Sequence, residues 1–293
     1  MELHRLKKQL KRELKQQGIP TKKSSRRRWV LVVLVLFALV ASLFPFYRQQ
    51  QATAAQRLFA EGVELESLGK IGAAEKSYRE VYQQYPQAQE AAEALLKVGN
   101  LWQYDRRDGQ MALLSYLQLE HDYPDSPHVL AAREEAAQIV KYNFHDYSRA
   151  IEFFQRLLDL NSGTPDQYYY EIADCYFRLE SYPQARIELE ILLENYPDSP
   201  LVPDVLYRKG EILLLEGRIE DARQDFLHLI ERYPDSHYQG EAKFDLAKLL
   251  EEEGRLKEAL QSYRQLEGGR QSPLLEKKIE HLERRIAEKK GAI

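Results

Sequence analysis

The stretch EGRIEDARQDFLHLIERYPDS, residues 216–236, contains the phrase that decides the fold of this 293-residue chain. Gly217 offers a left-handed turn, Ala222 a small side chain, Phe226 a large one four residues later, and Tyr233-Pro234-Asp235-Ser236 a stop. Residues four apart lie on one helical face, so Ala222 and Phe226 point the same way. The alanine recurs as Ala74, Ala112, Ala150, Ala185, Ala222 and Ala259, at intervals of 38, 38, 35, 37 and 37 residues. Each is followed at the same distance by Tyr78, Tyr116, Phe154, Leu189, Phe226 or Tyr263. Gly69, Gly217 and Gly254 mark the turn before the phrase, and Gly62, Gly99, Ala173, Gly210 and Ala247 place small residues where two helices approach closely. This is the pattern of a helical hairpin repeated along the chain, in which neighbouring hairpins supply each other's core.

The stop is spelled YPDSP at 123–127 and 196–200, and YPDSH at 233–237. Proline disfavours helix in the residue before it and cannot continue the hydrogen-bond ladder. Ser126 and Ser199 are expected as N-caps, with Pro127 and Pro200 at the first helical position, where a missing N–H costs nothing. Repeat three departs from the rule, with LNSGTPD at 160–166 and His145 where glycine is expected.

These places resemble the tetratricopeptide repeat, and Pro86, Pro124, Pro197 and Pro234 fall on its proline position. The resemblance covers about residues 54–271, six repeats. It implies an all-α solenoid of about six hairpins. Repeats of this length with YPDS turns look like those of the bacterial envelope proteins BamD and YbgF, and a single N-terminal helix before them resembles YfgM. SPLLEKKIEHLERRIAEKK, residues 272–290, carries an apolar stripe of Leu275, Ile279, Leu282 and Ile286 behind Ser272. A C-terminal capping helix over 272–293 is expected, with a coiled-coil dimer as the rival.

Composition points to further segments. Residues 1–28 carry eleven Lys or Arg against two acids, while the remainder has 31 basic and 44 acidic side chains. WVLVVLVLFALVASLFPFY, residues 29–47, has no charge and as a helix spans roughly 28 Å, about one bilayer core. The expectation is a basic arm (1–28) in the cytoplasm, a transmembrane helix (29–47), a linker (48–53) and an exported, periplasmic array: a single-pass inner-membrane protein. A cleaved leader ending at Ala52–Ala54 is the rival. The only cysteine is Cys175, so no lipidated cysteine follows the apolar run. In the arm, Leu3, Leu6, Leu10 and Leu14 recur at helical spacing among lysines and arginines.

No phosphate-binding loop, metal-ligand motif or catalytic constellation is legible, so neither an enzyme nor a cofactor is expected. In the tetratricopeptide pattern the first helix of each hairpin lines a concave surface. Its ligand-facing places fall here on Phe59, Tyr104, Tyr142, Tyr170, Phe177, Tyr207 and Phe244, with Asp174, Glu211 and Glu251 as acidic neighbours. The resemblance thus implies a scaffold that holds an extended or helical segment of another envelope protein. The alternative is a structural tether or oligomerising spacer with no ligand in its groove. Nucleic acid is not expected as a partner.

Overall fold

The computed structural model describes residues 2–16, 23–160, 163–267 and 273–291; the expected cap Ser272 lies outside them. Among the described residues every element is helical. The chain divides into two compact units, 1–106 and 107–293. The first contains α1 (Glu2–Gln16), α2 (Lys23–Ser67), α3 (Ile71–Gln84) and α4 (Glu90–Asn100). The second contains α5 (Gly109–Asp122), α6 (Val129–Gln138), α7 (Tyr147–Leu158), α8 (Pro165–Arg178), α9 (Tyr182–Asn195), α10 (Val202–Leu215), α11 (Ile219–Arg232), α12 (Gln239–Glu252), α13 (Leu256–Glu267) and α14 (Pro273–Gly291).

The six repeat alanines are fully buried, and each of the large residues that follow them is at most 1% exposed. The small residue on the preceding helix makes room for the ring. A Cβ on Gly62 would lie 2.6 Å from the Tyr78 ring, and one on Gly210 would lie 2.5 Å from Phe226. Such separations are inside van der Waals contact, so the absent side chain sets how closely the helices of a hairpin approach.

Each hairpin turns through one left-handed residue, five positions ahead of its alanine. Gly69, Gly217 and Gly254 are three of these, and Arg107, His145 and Glu180 hold the same conformation with φ of 56°, 55° and 56°. A Cβ makes this conformation costly by about 1–2 kcal/mol. The Tyr-Pro-Asp-Ser stop is a β-turn: the N–H of Ser126, Ser199 and Ser236 donates to the carbonyl of Tyr123, Tyr196 and Tyr233 at 3.0 Å. The serines do not cap the helix directly. Their Oγ atoms accept from the N–H two residues on, in His128, Leu201 and Tyr238, and α6, α10 and α12 begin one residue later. The serine thus closes a second tight turn, and the proline behind it lies in that turn.

At the end of the second unit α14 buries Leu275, Ile279 and Leu282 against Ala247, Leu256, Ala259 and Tyr263. Lys278 and Arg285 of α14 reach Glu251 of α12 at 2.8 and 2.5 Å. Away from this contact Glu276, Lys277, Glu280, His281, Glu283 and Arg284 are exposed.

The expected inner-membrane span is corrected. Among the described residues no helix is long and apolar enough to cross a membrane. Nor does the helix stop at residue 47. It continues through 48–53, expected as a linker, and its far end packs Ala55, Leu58 and Phe59 into the first repeat. The single-pass placement, with a cytoplasmic arm and periplasmic repeats, falls with the span.

His145→Gly and Glu180→Gly are expected to stabilise the fold by about 1 kcal/mol each, because glycine adopts the left-handed turn freely. Gly217→Ala, whose Cβ meets nothing within 4 Å, should lose a similar amount, and Gly210→Ala more, on the order of 1–3 kcal/mol, through the clash with Phe226. Urea unfolding followed by circular dichroism measures all four.

Candidate functional site

The first helices of successive hairpins in the second unit, α6, α8, α10 and α12, are joined side by side through their side chains. One irregularity shapes this face. From the small residue of the first helix to the left-handed turn residue there are seven positions in Gly62–Gly69, Ala173–Glu180, Gly210–Gly217 and Ala247–Gly254, but eight in Gly99–Arg107 and Ala137–His145. The extra residue is absorbed as a π turn, at Leu101–Asp105 and Ile139–Asn143. The N–H of Arg106 donates to the Leu101 carbonyl at 3.0 Å, and that of Phe144 to Ile139 at 3.1 Å, one position further than in an α-helix.

In the second of these turns Lys141 points inward and is 2% exposed. Its ammonium reaches Glu171 at 2.5 Å and Asp174 at 2.8 Å, both on α8. The Tyr142 hydroxyl donates to the same Glu171 carboxylate at 2.9 Å. Burial acts to lower the Lys141 pKa, but the charge of Glu171, with Asp174, outweighs it and holds the ammonium above its ordinary range. The Tyr142 phenol is pushed up to about 12, by burial first and then by Glu171.

Asp174 carries the network onward, lying 3.7 Å from Arg178 and 4.0 Å from Arg208 of α10. The Arg208 guanidinium sits 4.8 Å from the centre of the Phe177 ring and pairs with Glu211 at 3.2 Å. Tyr170 also bears on Arg208. On the far side of α10, Tyr207 stacks on Tyr238 at 4.5 Å and donates to Asp245 of α12 at 3.2 Å. Burial raises the pKa of both Glu211 and Asp245.

Tyr142, Tyr170, Asp174, Phe177, Tyr207 and Glu211 therefore belong to one connected surface. Phe244, 39% exposed, lies on α12 beside Asp245 and packs on Tyr263 at 5.3 Å. Tyr207 is largely committed to packing between helices, whereas Tyr142 is 51% exposed. Phe59 and Tyr104 belong to the first unit, where Phe59 packs on Tyr78 and Tyr104 is 60% exposed. The residues that tie the surface together, Lys141, Glu171, Arg208 and Asp245, were not anticipated. A signal for the first two existed in the register. Lys97 and Glu171 both stand two places before the small residue, and Lys97 pairs with Glu66 at 3.3 Å across the junction of repeats one and two. Lys141–Glu171 is that junction with its charges exchanged.

Metal-ligating side chains form no cluster among the described residues. The model of the YfiO family, described as outer membrane lipoproteins, matches residues 102–253, just over half of the chain. The chain belongs to the YfiO family. The match takes in the whole surface from the second π turn to Glu251. Among solved structures, a tetratricopeptide repeat protein from Parabacteroides merdae is 15% identical, with 78% of this chain and 99% of that one covered and a TM-score of 0.52. PilW, a type IV pilus biogenesis factor, is 16% identical over 76% and 97%, with a TM-score of 0.50. YrrB, a tetratricopeptide protein with an unusual peptide-binding site, is 17% identical over 68% and 94%, also at 0.50. At these identities the likeness establishes the fold. No curated protein matches the sequence significantly. In this YfiO chain the single cysteine, Cys175, is fully buried in α8, and burial first of all pushes its thiol up to about 12.

Lys141→Met is expected to destabilise the second unit by about 3–5 kcal/mol, since it strands two carboxylates without their cation. The raised ammonium pKa means that this margin is complete below the ordinary lysine value of about 10.4 and is lost as pH rises through the folded-state value. Urea unfolding of wild type and variant at neutral and strongly alkaline pH checks both the size and the sign. Cys175 should resist alkylation in the native protein and react on unfolding, which a thiol-labelling time course would show.

Proposed function

We propose that this protein is a non-catalytic scaffold of the cell envelope that holds a segment of another envelope protein against the first helices of its second unit. The observation that carries the reading is the continuity of that surface. Tyr142, Glu171, Asp174, Phe177, Arg208 and Glu211 are linked by contacts spanning three successive first helices, while Tyr142 and Phe244 leave rings exposed. Exposed rings offer large contact area at low entropic cost. Membership in the YfiO family supports an envelope role. The peptide-binding site named for YrrB, on a similar fold, is in keeping with a peptide segment as the ligand.

The charge of the surface favours a basic or neutral segment. Arg208 is already engaged by Asp174 and Glu211, whereas Asp245 is met by the Tyr207 hydroxyl. The tether alternative drew on a terminal helix free to oligomerise. Leu275, Ile279 and Leu282 of α14 are instead buried against their own chain.

A photoreactive amino acid at Tyr142, Phe177 or Phe244 should capture one and the same envelope protein in cells. Placed at Ile187 or Leu227, exposed on the second helices, it should not. The double variant Tyr142→Ala/Phe244→Ala is expected to weaken binding of the captured segment on the order of a hundredfold. Undiminished capture by a folded double variant would sink the reading. For a basic segment, binding should also fade on acidification, beginning above the ordinary carboxylate range because Glu211 and Asp245 titrate high.

A further inference from the structure

The inserted residue of repeat three gives one helical position two occupants. Counted from the small residue, Lys141 stands where Glu66, Phe177 and Glu251 stand in other repeats; counted back from the left-handed turn, Tyr142 does. In a regular repeat this place holds one side chain, and in the first and last repeats it is spent on the junction, with Glu66 on Lys97 and Glu251 on Lys278. The π turn separates the two tasks. Lys141 makes the junction and is buried, while Tyr142 is turned outward with its ring half exposed. Repeat two carries the same insertion and also leaves a tyrosine exposed at the matching place, Tyr104.

The environment of the Tyr142 ring defines what it can receive. The Lys141 ammonium lies 5.0 Å from the ring centre, so the attraction of the π-system for a cation is already in use. The nearby carboxylates are also engaged, Glu171 by Lys141 and the Tyr142 hydroxyl, and Asp174 by Lys141 with Arg178 and Arg208 close by. An incoming lysine or arginine would meet a ring that already faces a cation, beside carboxylates already held by Lys141. An apolar or aromatic side chain loses nothing there and gains contact area.

We propose that the π turn at Ile139–Asn143 is a specificity device that presents Tyr142 as a docking station for an apolar or aromatic side chain of the partner segment. This rests on the binding face proposed above and adds to it a discrimination against cations at repeat three. The segment would bring its apolar residue to Tyr142 and its basic residues towards Asp245, which meets the neutral Tyr207 hydroxyl.

Two fluorescent twelve-residue peptides test this. They share a basic half and differ in the other half, where one carries Phe and Leu and its counterpart carries Lys at the same positions. The wild type is expected to bind the Phe/Leu peptide at least tenfold more tightly. Tyr142→Ala, which keeps the insertion, should abolish that preference, and Tyr142→Phe should retain it. Deleting Tyr142 restores the seven-residue spacing with Lys141 in place; it should unfold cooperatively in urea and also lose the preference. Equal binding of the two peptides by the wild type, or a preference that survives Tyr142→Ala, would overturn the station. Were Phe244→Ala to weaken both peptides while Tyr142→Ala changed neither, the station alone would fall. Failure of the wild type to bind either peptide would remove the binding face with it.

Discussion

The wedge of a ring against a missing side chain is the contact from which the rest of the architecture follows. Tyr78 against Gly62 and Phe226 against Gly210 leave no space for even a methyl group, so the two helices of those hairpins are held at a separation set by the thickness of an aromatic ring. With that distance fixed and the turn confined to one left-handed residue, the hairpin has little freedom left. Within the second unit the first helices of neighbouring repeats are linked by side chains, and those side chains decide both how the junction is held and what the exposed face offers.

Those two demands compete for the same helical position. In the first repeat Glu66 takes a lysine from α4 and a hydrogen bond from Tyr78 at 2.6 Å. In the last, Glu251 is held by Lys278 and Arg285. Repeat three resolves the competition by adding a residue, with the charges of the junction exchanged and an aromatic ring placed beside it. An inserted residue in a helix is costly in regular hydrogen bonding, and its occurrence at two consecutive repeats, each time with a tyrosine outward, marks it as a feature of the face.

Periodicity made the helical framework readable, because a small residue and a large one four apart admit few structures when they return every 35 to 38 residues. The turns were half readable. Glycine announces a left-handed residue at 69, 217 and 254, but Arg107 and Glu180 adopt that geometry with nothing local to signal it; only the fixed distance to the next alanine gives them away. The serines of the YPDS phrase stand one tight turn ahead of the cap position, since the phrase encodes two successive tight turns and a cap prediction assumes one. The repeat pattern assigns candidate site residues by position alone, and it cannot tell a ring that packs, such as Tyr207 on Tyr238, from one that is exposed, such as Tyr142. Buried ionic residues escaped notice because a lysine on a helix reads as solvated until its partners thirty residues away are known. Charges bound the apolar run at 29–47 in the sequence, but the helix that contains it extends well beyond them.

The position of α14 has a consequence for how such an array can change in length. This helix occupies the place of a following first helix, since Lys278 meets Glu251 as Lys97 meets Glu66, but it turns charged residues outward where a further hairpin would need an apolar face. A duplicated hairpin appended behind α14 would meet the charged side chains of Glu276, Lys277, Glu280, Glu283 and Arg284. One introduced ahead of it would be received on both sides by surfaces already shaped for a neighbour. Lengthening by gene duplication is therefore confined to the interior of the chain, and the terminal helix is carried along unchanged however many repeats precede it.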